Sequence, residues 1–273
     1  ADKDPLFHSD FLLNVFIDRS GCIWICTGDG VYCCRELKDL YTEHVKIEPN
    51  TNREWSNYVR HISNIGNDKL AVSTRANRTY IYDARTQQRT LERQTDACVY
   101  DYAIDPQGRK WISTKGDGIY IDNVKYSKHE KEHYAPGASF YKTIFDRQGR
   151  AWIATWGEGL LITPQTTGQQ PRKFEQFLNA DGKEAQIHDL ILDRKGRLWV
   201  CSNNGITMVN TAERKITAQK FLRFSDENGK LPVSEINCGI EAHDGKLWFA
   251  ATGGVLKCSY DEKTGDLEYE LFD

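Results

Sequence analysis

The chain has 273 residues, with 36 Lys and Arg set against 39 Asp and Glu for a formal net charge of −3. The two signs are interspersed, so no basic field exists to hold a phosphate backbone, and nucleic acid is not expected as a partner. No apolar run approaches the ~18 residues of a membrane span, and the start Ala1-Asp2-Lys3-Asp4 lacks the apolar core of a signal peptide. The expectation is either a cytosolic chain or a processed or excised soluble piece of something larger, with no membrane contact of its own.

The first apolar run, Leu12 to Ile17, is broken by Asp18-Arg19-Ser20-Gly21. Asp with Gly three residues later suits a type I turn, the carboxylate accepting local backbone N–H bonds and Gly standing at the corner. Ile23-Trp24-Ile25 follows, β-branched and aromatic as half-buried strands prefer. A second turn, Thr27-Gly28-Asp29-Gly30, leads to Val31-Tyr32-Cys33-Cys34, and a more polar run from Tyr41 to Ile47 closes the unit. Together these read as one four-stranded propeller blade with buried inner strands and a solvated outer edge.

The frame then recurs. Its second copy is degenerate, Asn67-Asp68-Lys69-Leu70 preceding Ala71 in the tryptophan slot. The next are Asp105 to Trp111, Asp146 to Trp152, Asp193 to Trp199 and the shorter Asp244 to Trp248. Successive slots lie 40 to 49 residues apart, a period of stacked supersecondary units. The residues before Trp24 and after Trp248 amount to one more unit. Residues 1–273 therefore read as a single all-β domain, a β-propeller of about six four-stranded antiparallel blades, complete or part of a larger array. Radial closure is the expected way for so many short strands to avoid open edges. Residues 164–171 and 226–232 read as long surface loops.

Three signals are set aside. Gly28-Asp29-Gly30, Gly116-Asp117-Gly118 and Gly157-Glu158-Gly159 imitate half of a phosphate loop, but a strand rather than a helix follows each, so they read as turns. Among eight cysteines there is no Cys-x-x-Cys spacing, and zinc is poorly supported. Cys26 and Cys201 share one strand position and read as small buried residues, whereas Cys22 and Cys34 could approach across a blade, with free thiols favoured. Glu158, Asp117, Asp29 and Asp101 are carboxylates without a recognisable pairing, and the seven histidines show no ligand spacing. No catalytic group, metal or cofactor is expected.

The phrase Asp-x-x-Gly-x-(Ile/Leu/Ala)-Trp-(Ile/Val)-x-Thr, followed by a Gly-containing turn and a short strand, resembles the two-component regulator propeller repeat across essentially the whole chain. The resemblance is strong in four copies, weaker at Trp248 and poor around Ala71. It implies a periplasmic sensor region of a hybrid two-component system in gut polysaccharide-degrading bacteria. Such a region recognises glycan fragments and signals through an inner-membrane protein that carries a histidine kinase. Family sensors carry two larger propellers followed by a β-sandwich, a membrane helix, a histidine kinase and a DNA-binding regulator, so the resemblance implies that this chain is one portion of the sensor region or a shorter relative. The segment from Phe221 to Pro232 resembles the link before the family's final blades. The implied partners are an oligosaccharide or other small ligand, and neighbouring sensor domains or a second protomer.

A ligand would meet the face reached by two loop classes, the one entering each inner strand and the one between second and third strands. Eleven places before the frame tryptophan stand Leu13, Arg60, Tyr100, Tyr141, His188 and Asn237; one place earlier stand the apolar Leu12, Val59, Val99, Phe140, Ile187 and Ile236. Alternation then sends the apolar set between blades and the other toward the mouth. Trp55 and Trp156 lie outside the frame, in these two loop classes, and the repeat does not require Trp156, whose sister blades carry Gly28, Lys115 and Asn203. The expected ligand set is Trp55, Tyr58, Arg60, Arg75, Arg78, Tyr100, Tyr141, Trp156, His188 and Asn237, aromatic platforms with a few directed hydrogen bonds. The alternative reading is a propeller hydrolase or lyase acting on a glycan or lactone, which would need groups such as His188, Asp101 and Asp189 to converge on an ion.

Overall fold

A computed structural model describes residues 12–17, 23–27, 30–34, 43–48, 54–137, 139–163, 174–178, 186–212, 221–224, 235–252 and 254–272. The two expected long loops, and Cys22, lie outside the described residues. The described residues are all-β apart from one turn of 3-10 helix at Glu54–Asn57, and the chain forms two compact units. The first comprises Ala1–Ile104 with Lys110–Asp117, and the second Asp105–Arg109 with Gly118–Asp273.

In the first unit, residues 12–45 form blade 1 and residues 59–94 form blade 2, each an antiparallel sheet of four strands in chain order. Blade 3 is divided: its hairpin of Val99–Ile104 and Lys110–Thr114 belongs to the first unit, and its strands Ile119–Ile121 and Val124–Tyr126 to the second. The second unit continues with blade 4 (residues 140–178), blade 5 (187–224) and blade 6 (236–272), again of four consecutive strands. Phe221–Phe224, within the link-like segment, is the outer strand of blade 5.

Apolar side chains fill the space between successive blades of a unit. Trp24, Cys26, Val31 and Val45 of blade 1 meet Val59, Ile62, Leu70 and Tyr82 of blade 2, with Trp24 edge-on to Tyr82 at 6.1 Å. Trp152 and Leu160 of blade 4 meet Ile187, Leu190 and Leu198 of blade 5, and Trp199 of blade 5 meets Phe249 and Leu256 of blade 6. The frame tryptophans 24, 111, 152 and 199 are all buried, whereas Trp248 is half-buried and stacks on Phe272 at 5.7 Å.

The Asp-x-x-Gly turn does more than close a hairpin. In blade 5, Asp193 Oδ1 accepts the N–H groups of Lys195 and Arg197 at 2.9 Å each, and Gly196 N–H closes the turn on the Asp193 carbonyl. Asp193 Oδ2 accepts Arg197 Nε at 2.6 Å and the Trp199 indole N–H at 2.9 Å. Blade 4 repeats this with Asp146, Arg150 and Trp152, the indole bond being 2.8 Å. One carboxylate thus satisfies the donors of the turn and the single polar atom of a buried indole, which would otherwise be costly to bury. Blade 2 lacks this motif and turns on Asn67 and Asp68, both at positive φ (53° and 58°) between the paired Gly66 and Lys69. That is the two-residue turn preferred by twisted hairpins. It offers no carboxylate beneath the slot, and the small Ala71 fills the position, fully buried.

Two of the three glycine turns behave as read, while Gly28 and Asp29 of the third lie outside the described residues. Gly116, Gly118, Gly157 and Gly159 all have positive φ, and the Asp117 and Glu158 N–H groups bond to Thr114 and Thr155 hydroxyls at 3.1 Å, with strands following. Cys26, Cys33, Cys201 and Cys258 are free and buried; Cys98 is partly buried and Cys238 exposed. The Cys34 side chain lies outside the described residues. Burial pushes the Cys258 thiol up to about 12 and raises those of Cys26 and Cys201 far above the usual range, Asp189 adding to the shift at Cys201. At pH 8 iodoacetamide should therefore spare these three in the native protein and modify the exposed Cys238 ahead of them, even though burial also raises its thiol. Peptide mapping before and after denaturation checks this, and prompt native labelling of Cys201 would contradict the packing described.

Candidate functional site

Every inner strand carries a β-bulge at one place. The ladder jumps from Leu12 to Asn14, Val59 to His61, Val99 to Asp101, Phe140 to Lys142, Ile187 to Asp189 and Ile236 to Cys238. The residues skipped are Leu13, Arg60, Tyr100, Tyr141, His188 and Asn237, the set eleven places before the frame position. A bulged residue has no ladder partner and is re-aimed relative to its neighbours. The preceding apolar residues Val59, Val99, Phe140, Ile187 and Ile236 are fully buried, as the alternation required.

A second device fixes the neighbouring loop. The residue four places after the frame position donates its backbone N–H to the carbonyl thirteen places before it: Arg75 to Tyr58 (2.9 Å), Lys115 to Cys98 (2.9 Å), Trp156 to Ser139 (3.0 Å), Asn203 to Gln186 (3.1 Å) and Thr252 to Glu235 (3.1 Å). In each of these five blades the tie brings the two loop classes together beside the bulge.

In the second unit these positions build an aromatic stack. Tyr141 and Trp156 are 5.4 Å apart and inclined by 24°, and Trp156 and His188 are 5.6 Å apart and inclined by 18°. His188 Nδ1 continues the chain to Asn237 Oδ1 at 3.3 Å, while its Nε2 is buried without a hydrogen-bond partner among the described residues. Trp156 remains 42% exposed. Four of the expected ligand residues are thus one contiguous cluster spanning blades 4 to 6.

In the first unit Arg60 lies over the Tyr100 ring at 4.4 Å, and Arg75 over the Tyr58 ring at 5.5 Å. Lys115, which the sequence offered only as a sister of Trp156, also reaches Tyr100, at 5.8 Å. Its signal was its place in the frame, shared with Arg75 and Trp156. Arg78 is engaged elsewhere, in an ion pair with Glu48 at 2.6 Å and a bond to Gln94 at 2.7 Å, so its guanidinium ties blade 2 to the end of blade 1. The backbone of Trp55 lies in the 3-10 helix, and its side chain lies outside the described residues.

The carboxylates are engaged locally. Asp101 meets His61 at 3.3 Å in a buried pair, and Asp189 Oδ2 accepts the Gly239 N–H at 3.2 Å. Among the described residues no group of three or more His, Cys, Asp and Glu side chains is placed to hold a metal ion. Nor is any helix long and apolar enough to cross a membrane.

No family model matches the chain, and no curated protein matches it in sequence. Solved structures do share its fold. The extracellular domain of a hybrid two-component system from B. thetaiotaomicron superposes with a TM-score of 0.72 at 16% identity, covering 98% of this chain and 36% of that one. A second such extracellular domain from B. thetaiotaomicron gives 0.69 at 19% identity, with 95% and 36% covered. The chain thus spans about a third of the length of these two. Streptogramin B lyase gives 0.71 at 12% identity, with 98% of this chain and 85% of that one covered. The fold is that of a β-propeller, built from four-stranded antiparallel blades and shared with the extracellular domains of hybrid two-component systems.

Proposed function

We propose that this chain is the ligand-recognising propeller of an extracytoplasmic sensor in a hybrid two-component system. It binds a glycan fragment at Tyr141, Trp156, His188 and Asn237 and performs no chemistry of its own. The observation that carries the reading is Trp156. The repeat does not need an indole there, yet one stands 42% exposed, stacked with two rings from adjacent bulges. Exposed indole surface beside polar groups suits the apolar face and hydroxyl rim of a sugar. The buried, unpartnered His188 Nε2 is a polar atom of the kind a ligand hydroxyl satisfies.

The fold likeness to extracellular sensor domains and the repeated frame both support placement in the periplasm, as part of an inner-membrane protein whose kinase lies elsewhere. On this reading the partners are an oligosaccharide and a neighbouring sensor domain or second protomer, and residues 1–273 act as one propeller domain.

Calorimetric titration of the purified chain against a panel of oligosaccharides tests it. Trp156→Ala is expected to weaken the best binder about tenfold, the loss of roughly 1.5 kcal/mol of ring contact, and Trp156→Phe to restore most of it. A panel without binders, or a binder indifferent to Trp156→Ala, would overturn the site. Release of products from any saccharide or lactone of the panel would instead favour the hydrolase or lyase reading.

A further inference from the structure

The first unit gathers three cations at one corner. Arg60 projects from the bulge of blade 2, and Arg75 and Lys115 occupy the tied turn positions of blades 2 and 3. Arg60 and Lys115 share the Tyr100 ring, and Arg75 lies over Tyr58. Cys98 joins the two blades here, its Sγ 3.9 Å from the Thr74 carbonyl. Burial pushes the Cys98 thiol up, while Arg60, Arg75 and Lys115 each pull it down, so all three charges act on that one thiol.

Among the described residues, none of the three forms an ion pair with a carboxylate. Elsewhere Arg78 pairs with Glu48, Lys110 with Glu92, Arg150 with Asp146, Arg194 with Glu241, and Lys195 and Arg197 with Glu262. Arg60, Arg75 and Lys115 have tyrosine rings beneath them instead. Three like charges held together repel one another, and an anion placed among them relieves that repulsion. A guanidinium lying on a tyrosine ring keeps its N–H edge available, and that edge takes a carboxylate or sulfate through two parallel bonds.

We propose that this corner is an anion subsite for an acidic saccharide: Arg60 and Arg75 donate to a carboxylate or sulfate group, Lys115 supplies a third positive charge, and Tyr58 and Tyr100 hold the guanidinium planes. The saccharide part of this assignment rests on the glycan reading above; the anion part stands on the three cations alone.

Four probes separate the two parts when titrated into the whole chain: a heparin-derived tetrasaccharide, tetragalacturonate, the neutral cellotetraose and inorganic sulfate. The acidic tetrasaccharides are expected to bind at least tenfold tighter than the neutral one. Arg60→Gln and Lys115→Gln should each remove about tenfold of that preference while leaving thermal unfolding unchanged. Added salt should weaken acidic binding alone. Equal binding of acidic and neutral probes, indifferent to both substitutions, would overturn the subsite and leave the glycan reading standing. Sulfate bound through Arg60 with no saccharide bound would uphold the anion site but overturn both the glycan reading and the acidic-saccharide class. Failure of all four probes would overturn the subsite altogether.

Discussion

Asp193→Ala should lower the unfolding free energy by about 3–5 kcal/mol, the range for breaking a buried charged network from one side. The carboxylate is 3% exposed and receives four donors: the Lys195 and Arg197 N–H groups, Arg197 Nε and the Trp199 indole. Deletion leaves a buried indole N–H and two turn amides without an acceptor, and each such orphan costs about 1–3 kcal/mol. Arg197 retains Glu262 at 3.2 Å, so its charge is not stranded and the cost stays within the stated range. Asn at 193 keeps one acceptor oxygen for the turn amides but loses the charge facing Arg197, so its penalty should be intermediate. Urea unfolding with an unchanged m-value measures this directly. A loss under about 1 kcal/mol would mean that the clamp is decorative.

The same network explains why the fold was so legible. A turn whose carboxylate also carries the indole must keep Asp, Gly and Trp at fixed spacing, because the bond from Asp193 Oδ2 to Trp199 Nε1 spans six residues and works only in one register. Period and blade boundaries follow from that constraint. Arg at the fifth place is part of the clamp at 150 and 197, binding the carboxylate as well as lying near the indole, a role the residue pattern alone did not reveal.

The site was legible in part, for a related reason. Arg60, Tyr100, Tyr141, His188 and Asn237 share one place in the frame, and because every inner strand bulges there, position in the frame reports orientation. Contacts between repeats leave no such trace. Nothing local to Arg78 reveals that Glu48, thirty residues earlier, holds it at 2.6 Å. Lys115 stands in a turn, where a lysine reads as solvated surface until the Tyr100 ring is seen beside it. The backbone ties from the turn residue to the loop thirteen places before the frame were equally silent, since any residue but proline can make them.

Trp199→Ala should cost about 3–5 kcal/mol, through loss of a fully buried ring and the cavity it leaves. The indole sits edge-on to Tyr260 at 5.6 Å and tilted against Phe249 at 6.4 Å, both on blade 6, so it supplies the contact between two blades as well as the core of its own. Trp248 occupies the same frame position but is half-buried, stacked on Phe272 at 5.7 Å and beside Lys257 at 5.5 Å. The Asp244 side chain bonds the Lys246 N–H at 3.0 Å, in a shortened turn without the Arg of the clamp. Trp248→Ala should therefore cost only about 1 kcal/mol, the scale of an exposed aromatic pair. The double variant Asp193→Ala/Trp199→Ala should be less destabilised than the sum of its singles by about 1–3 kcal/mol, because each single strands a partner that the double removes. Additivity of the two, or equal penalties at 199 and 248, would separate the indole from the clamp and remove the reason for the repeat's spacing.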